Sequence, residues 1–148
     1  VNMIKSIRHT GIVVRDLERA SNFYRAIGFI DSNKAIEEGN FIDQVTGLKH
    51  TKLEWVKLEA PDGCLLELLH YHSHLESKEV TNQKSNKLGC SHLAFTVDDI
   101  KSACDKIRKA GGTVASLPAT APNGKAKVVY CHDPEGVLME IVEELKSK

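Results

Sequence analysis

The chain has 148 residues, of which 41% are hydrophobic and 27% charged, and its twenty basic and twenty acidic side chains give a formal net charge of zero. That length suffices for a sizeable core within one compact unit. Charge that is balanced and interspersed excludes the basic footprint of a nucleic-acid binder, and no stretch approaches the roughly 20 apolar residues of a membrane span.

The opening VNMIKSIRHT holds no apolar run of signal-peptide length, so the expectation is a soluble, cytoplasmic protein. Cys64, Cys90, Cys104 and Cys131 are widely spaced and form no CxxC pair, which argues against a zinc ribbon or a thioredoxin-like motif. Cys64 and Cys131 stand in apolar runs and are expected to be small buried hydrophobes.

In chain order, Ile7 to Val14 predicts a strand. Asp16 follows as an N-cap, and Leu17, Ala20, Phe23, Tyr24 and Ile27 recur at helical spacing until Gly28 ends the helix. Strands are predicted at Phe29 to Ser32, Lys52 to Leu58 and Cys64 to Tyr71, the last two separated by the turn Pro61-Asp62-Gly63. Residues 73–87 are polar and read as a surface linker. The same succession then recurs: a strand at Leu93 to Val97, a cap at Asp98 or Asp99, and a helix carrying Ile100, Ala103, Cys104 and Ile107 up to Gly111-Gly112. Strands follow at Thr113 to Ser116, Lys127 to Cys131 and Val137 to Val142, with Pro134-Glu135-Gly136 as the turn. Residues 118–126 read as a flexible loop near a site. The order is β-α-β-β-β twice, an α+β fold within residues 1–148 with modules at 5–72 and 88–145.

The two modules also match residue by residue, as an internal repeat should. His9-Thr-Gly-Ile-Val-Val-Arg-Asp-Leu17 lies over His92-Leu-Ala-Phe-Thr-Val-Asp-Asp-Ile100, and Pro61-Asp-Gly-Cys-Leu-Leu-Glu67 over Pro134-Glu-Gly-Val-Leu-Met-Glu140. The first module carries extra chain around Glu37 to Lys52. The repeat isolates His9, Glu67, His92 and Glu140 at equivalent places. Each glutamate stands in an apolar strand, CLLELL or VLMEIV, where an unpaired carboxylate is costly to bury. A divalent cation removes that cost, and two imidazoles with two carboxylates neutralise it while leaving coordination positions open. Nickel, zinc, cobalt, manganese and iron all suit such a set. Alternation places Glu67, Leu69 and Tyr71 on one strand face and His70 and His72 on the other, so His70, His72 and His74 read as a surface cluster. Tyr71, Trp55 and Phe95 are candidates to line the pocket.

The segments HTGIVVRDLERASNFYRAIGF, PDGCLLELL, SHLAFTVDDI and DPEGVLMEIVEE resemble the vicinal-oxygen-chelate superfamily, which includes glyoxalase I, methylmalonyl-CoA epimerase, extradiol dioxygenases and the fosfomycin and bleomycin resistance proteins. The resemblance implies paired βαβββ modules forming a curved, open-barrel sheet around one metal ion held by His9, Glu67, His92 and Glu140. It also implies a small-molecule substrate that chelates the ion through oxygen, and a homodimer. The His/Glu/His/Glu set is similar to that of bacterial glyoxalase I, which implies a lyase/isomerase moving a proton next to a carbonyl, with Glu140 as the first candidate base and Glu67 the second. The alternatives are an epimerase-like racemase, in which His50 would stand near the place of a further acid/base group, and a non-catalytic, antibiotic-sequestering binder of the bleomycin-resistance type. A dioxygenase, normally with one carboxylate and two histidines, fits the four-ligand set less well. Gly11-Ile12-Val13-Val14 stands where the glyoxalases often carry an arginine for glutathione, so the resemblance leaves the thiol open.

Overall fold

A computed structural model describes residues 3–76 and 78–146. The chain divides between Lys78 and Glu79 into two compact units, each taken in turn.

The first unit runs β1 (Thr10–Val13), α1 (Leu17–Ala26), β2 (Ile30–Glu38), α2 (Asn40–Thr46), β3 (Lys52–Glu59) and β4 (Leu65–Tyr71). Its four strands form an open mixed sheet in the order β1-β4-β3-β2. The first strand is parallel to the last, while β2–β3 and β3–β4 are antiparallel. Asp16 starts α1 by accepting from the Arg19 amide at 2.9 Å, which satisfies one orphan donor of the first turn. The helix lies against β3 and β4 and buries Ala20, Phe23 and Tyr24, with Leu58, Leu66 and Leu68 buried on the strands. Each large apolar side chain so removed from water contributes about 2 kcal/mol. Tyr24 packs edge-on against both Phe23 and Phe29. Because strand side chains alternate, burying Leu66 and Leu68 under the helix turns Glu67 and Leu69 to the opposite face.

The second unit runs β5 (Leu93–Val97), α3 (Ile100–Lys109), β6 (Thr113–Val114), β7 (Ala119–Thr120), β8 (Ala126–His132) and β9 (Leu138–Glu144). The order β5-β9-β8-β6, with β7 added on β8, repeats the pattern of the first unit: β5 parallel to β9, and β9 antiparallel to β8. Asp99, the second of the two predicted caps, accepts from Ser102 at 2.6 Å. The Glu143 carboxylate takes the Ile100 amide at 2.9 Å, so β9 and the start of α3 are joined by a charge-assisted bond. Ile100, Cys104 and Ile107 of the helix and Val129, Cys131, Met139 and Ile141 of the strands form this core.

Four expectations need correction. The first strand starts at Thr10, not Ile7: its ladder to β4 begins at the Thr10–Leu66 pair, the residues that would face Ile7 and Arg8 lie before β4, and Ile7 is almost fully exposed. The second strand extends to Glu38 through side chains that mostly face solvent; its backbone pairing with β3 carries it past a bulge near Asn33. The extra chain after Glu37 folds as α2, with only Ile42 buried. Cys64 is exposed at the β3–β4 turn, whereas Cys131 is buried as expected. Residues 73–87 carry no helix or strand among the described residues, but part of the segment is bound to the second unit: the Gln83 amide donates to the Gly136 carbonyl at 2.8 Å, and the His132 ring bonds the Gln83 carbonyl at 2.8 Å.

Candidate metal centre

In the first unit, Glu67 on β4 is paired with Gly11 on β1 and with Lys57 on β3. His9 lies two residues before Gly11 and so reaches the same corner of the sheet: its Nε2 is 3.7 Å from Glu67 Oε1. That separation is too long for a hydrogen bond. It is somewhat longer than the spacing of two donors sharing one ion, which at bond lengths of about 2.1 Å stand about 3 Å apart at a right angle and about 3.4 Å apart at a tetrahedral one. The His9 Nδ1 atom is buried without a hydrogen-bond partner. Lys57 Nζ approaches the other Glu67 oxygen at 3.6 Å and lies 4.8 Å from the centre of the Trp55 ring, a cation–π distance. The Trp55 indole donates to Glu37 at 2.9 Å.

In the second unit, Glu140 on β9 is paired with Ala94 on β5 and Tyr130 on β8, and His92 lies two residues before Ala94. His92 Nε2 stands 2.8 Å from Glu140 Oε2, and the imidazole meets the Tyr130 ring edge-on. The histidine is oriented from behind: the Ser91 hydroxyl donates to the Ser85 carbonyl at 2.6 Å and therefore accepts from His92 Nδ1 at 2.9 Å. A neutral imidazole with its proton on Nδ1 presents a lone pair at Nε2. The 2.8 Å approach to Glu140 then brings two electron-pair donors together, an arrangement satisfied by a cation, either a proton or a metal ion. This is how a metal-ligating histidine is usually held from its far nitrogen.

The structure thus brings His9 to Glu67 and His92 to Glu140. Among the described residues it forms no cluster of three or more His, Cys, Asp or Glu side chains placed to hold one ion. The donor chemistry of both pairs, an imidazole nitrogen facing a carboxylate oxygen, fits a divalent cation. Sequence reasoning missed Lys57, Tyr130 and Ser91. The first two were accessible: each hairpin pairs its glutamate with the residue ten positions earlier, so the repeat that matched Glu67 to Glu140 also matches Lys57 to Tyr130.

The other histidines do different work. His70 is half-buried on the helix side of β4 and bonds the Val14 carbonyl at 3.0 Å. His72 pairs with Glu54 at 2.8 Å, and His74 with Ser73. His50 is exposed in a left-handed conformation, its amide bonded to Asp43. Backbone amides of Thr51 and His50 hold the Asp43 carboxyl below its ordinary range. Tyr71, Trp55 and Phe95 are all half-buried.

Two small mixed sheets, each crossed by one helix and each carrying a His–Glu pair at the same register, define a protein of the paired βαβββ class. The family model of the glyoxalase/bleomycin resistance protein/dioxygenase superfamily matches residues 6–141, and the chain belongs to that superfamily. It is 27% identical over 95% of its length to a probable lactoylglutathione lyase of Vibrio cholerae, covering 92% of that protein. It is 28% identical over 95% of its length to a probable lactoylglutathione lyase of Synechocystis, covering 96% of it. Among solved structures, a glyoxalase family protein from Bacillus cereus superposes with a TM-score of 0.90 at 27% identity, over 98% of this chain and 97% of that one. No helix among the described residues is long and apolar enough to cross a membrane.

Proposed function

We propose that the chain is a divalent-metal-dependent lyase/isomerase of the glyoxalase I type, moving a proton next to the carbonyl of a small oxygen-chelating substrate. The observation that carries this reading is the duplicated pair: an imidazole and a carboxylate in contact in each unit, His9 with Glu67 and His92 with Glu140, at the same register of the same strand pairing. The relatives named lactoylglutathione lyase support it.

His9, Glu67, His92 and Glu140 would hold one ion between them, supplied by one chain or by two copies. When bound, the ion supplies Lewis-acid stabilisation of negative charge developing on the substrate oxygens. The chain's own part is the proton. Glu140 would take the proton from the hydroxyl-bearing carbon beside the carbonyl, the C–H electron pair moving into that carbonyl as an enediolate, and return it to the former carbonyl carbon while the hydroxyl proton passes to the other oxygen and the first carbon becomes the new carbonyl. Glu140 suits this better than Glu67, because Glu67 is engaged by the Lys57 ammonium while the residue opposite Glu140 is the uncharged Tyr130. A carboxylate that must leave a ligand position and come back is better unencumbered by a second cation.

Elemental analysis of the purified protein, together with His92→Ala and Glu140→Gln, tests the reading when each sample is also assayed with methylglyoxal and a panel of thiols. One divalent ion per site, lost in His92→Ala, and turnover lost in Glu140→Gln are the expected results. Absence of metal from every preparation after reloading would overturn the catalytic reading in favour of a sequestering binder.

A further inference from the structure

The first unit carries a charge at its glutamate that the second does not. Lys57 occupies the strand position opposite Glu67, whereas the matching position opposite Glu140 is Tyr130. The ammonium is not a metal donor, since it has no lone pair while charged. It is also well fixed: it stands over Trp55, whose indole is anchored by Glu37, and its side chain is only 22% exposed. Holding so flexible a side chain costs entropy, and a lysine placed against a prospective metal ligand opposes the metal by charge repulsion.

We propose that Lys57 makes this site selective for an anionic ligand, a small molecule that carries a carboxylate beside the oxygens that would chelate the metal. The inference rests on the metal-site reading above and adds the charge of the substrate to it. Around a divalent ion the carboxylates of Glu67 and Glu140 complete neutrality, and the histidines add none. Lys57 then leaves one positive charge in a half-buried corner, where an uncompensated charge is costly. A carboxylate ligand cancels it and forms a charge-assisted bond to the ammonium. A neutral ligand leaves it unmatched. Lys57 is thus a specificity-determining residue, contacting the substrate's anionic end while the proton transfer occurs elsewhere.

Trp55 is the single tryptophan of the chain and gives a direct optical readout beside Lys57. Zinc would be titrated into metal-free protein, and oxalate into the zinc-loaded protein, for the wild type, Lys57→Met and Lys57→Arg, by calorimetry and by Trp55 fluorescence. Lys57→Met is expected to bind zinc several-fold more tightly and oxalate about tenfold more weakly, while Lys57→Arg keeps oxalate within about twofold of the wild type. The opposite signs are what an electrostatic role demands; a lysine that only supports the sheet would move both affinities the same way or neither. Unchanged oxalate binding in zinc-loaded Lys57→Met overturns the inference and leaves the metal site standing. The expected binding pattern without isomerase turnover supports the inference and sinks the proton-transfer reading instead. Failure of every variant to bind zinc overturns both.

Discussion

Glu67 and Glu140 occupy the same register position in their sheets: the first is paired with Gly11, two residues after His9, and the second with Ala94, two residues after His92. In both sheets the residue directly beside the glutamate is among the smallest available. A larger side chain there would stand on the same face, alongside the carboxylate.

Filling that space is therefore expected to separate each pair without unfolding the sheet. Gly11→Ala places its new methyl 3.2 Å from the flexible tip of Leu69, a contact that a rotamer shift relieves, so this variant is expected to bind zinc as the wild type does. Gly11→Val and Ala94→Leu crowd the carboxylates and are expected to lower zinc affinity by about tenfold or more, with the far-ultraviolet circular dichroism unchanged. Full metal affinity in both larger variants would show that the pairs do not hold the ion.

Ser91 makes a sharper case, because it touches His92 only at the nitrogen away from Glu140. With its hydroxyl committed as donor to the Ser85 carbonyl, it accepts from His92 Nδ1 and so selects the tautomer that presents a lone pair at Nε2. Ser91→Ala removes that selection while leaving all four proposed ligands in place. Zinc affinity should fall by about tenfold with little change in melting temperature, as competition against a chromogenic chelator would measure. The corresponding His9 Nδ1 has no such partner, so the effect is confined to one ligand pair.

The paired architecture was legible in the sequence because it rests on patterns with a fixed physical period. Leu17, Ala20 and Tyr24 gave the helix, and CLLELL and VLMEIV gave strands whose glutamates must point away from the leucines under the helix. Asn40–Thr46 was not legible as α2, since one buried side chain, Ile42, leaves no apolar stripe to read, and its cap at Gly39 makes no side-chain bond. Cys64 was misread for a related reason: its neighbours Leu65 and Leu66 suggested burial, but the turn at Asp62-Gly63 holds it outside, its amide bonded to Asp62. The His–Glu contacts were legible as equivalent positions, whereas Ser91 required knowledge of which hydroxyl faces which ring nitrogen.

Gly136 is expected to be the most sensitive glycine of the second unit. Its φ is +81°, and a Cβ built there would overlap the Thr81 carbonyl oxygen, on the same segment that bonds the Gly136 carbonyl through Gln83. Backbone, unlike a side-chain tip, cannot turn aside. Gly136→Ala combines the left-handed penalty of about 1–2 kcal/mol with a steric clash, and should lower the melting temperature by roughly 5 °C or more. Gly124, at a φ of +69° and with open space around its missing side chain, should show the left-handed penalty alone, so Gly124→Ala is the control: equal losses at the two sites would mean that the 81–83 segment is not held against the turn.

Four free thiols divide cleanly by environment: Cys64 and Cys90 are exposed, Cys104 and Cys131 buried. Ellman's reagent should modify the first two in the native protein and the other two only on unfolding, with Cys90 ahead of Cys64, whose thiol is pushed up by the Asp62 carboxylate beside it. The buried pair also sets a pH dependence. Burial, reinforced by the neighbouring Cys104, pushes the Cys131 thiol from an ordinary 9.0 up to about 12. A raised folded pKa means that the unfolded chain loses the proton first, so the contribution to stability is complete below about pH 9 and declines as pH rises toward 12, by up to about 1.4 kcal/mol per pH unit for one proton. Denaturant midpoints measured across that window should fall more steeply for the wild type than for Cys131→Ala, which is less stable at neutral pH but has no thiol to ionise there. Parallel pH profiles for the two would show that the Cys131 thiol does not govern the alkaline loss.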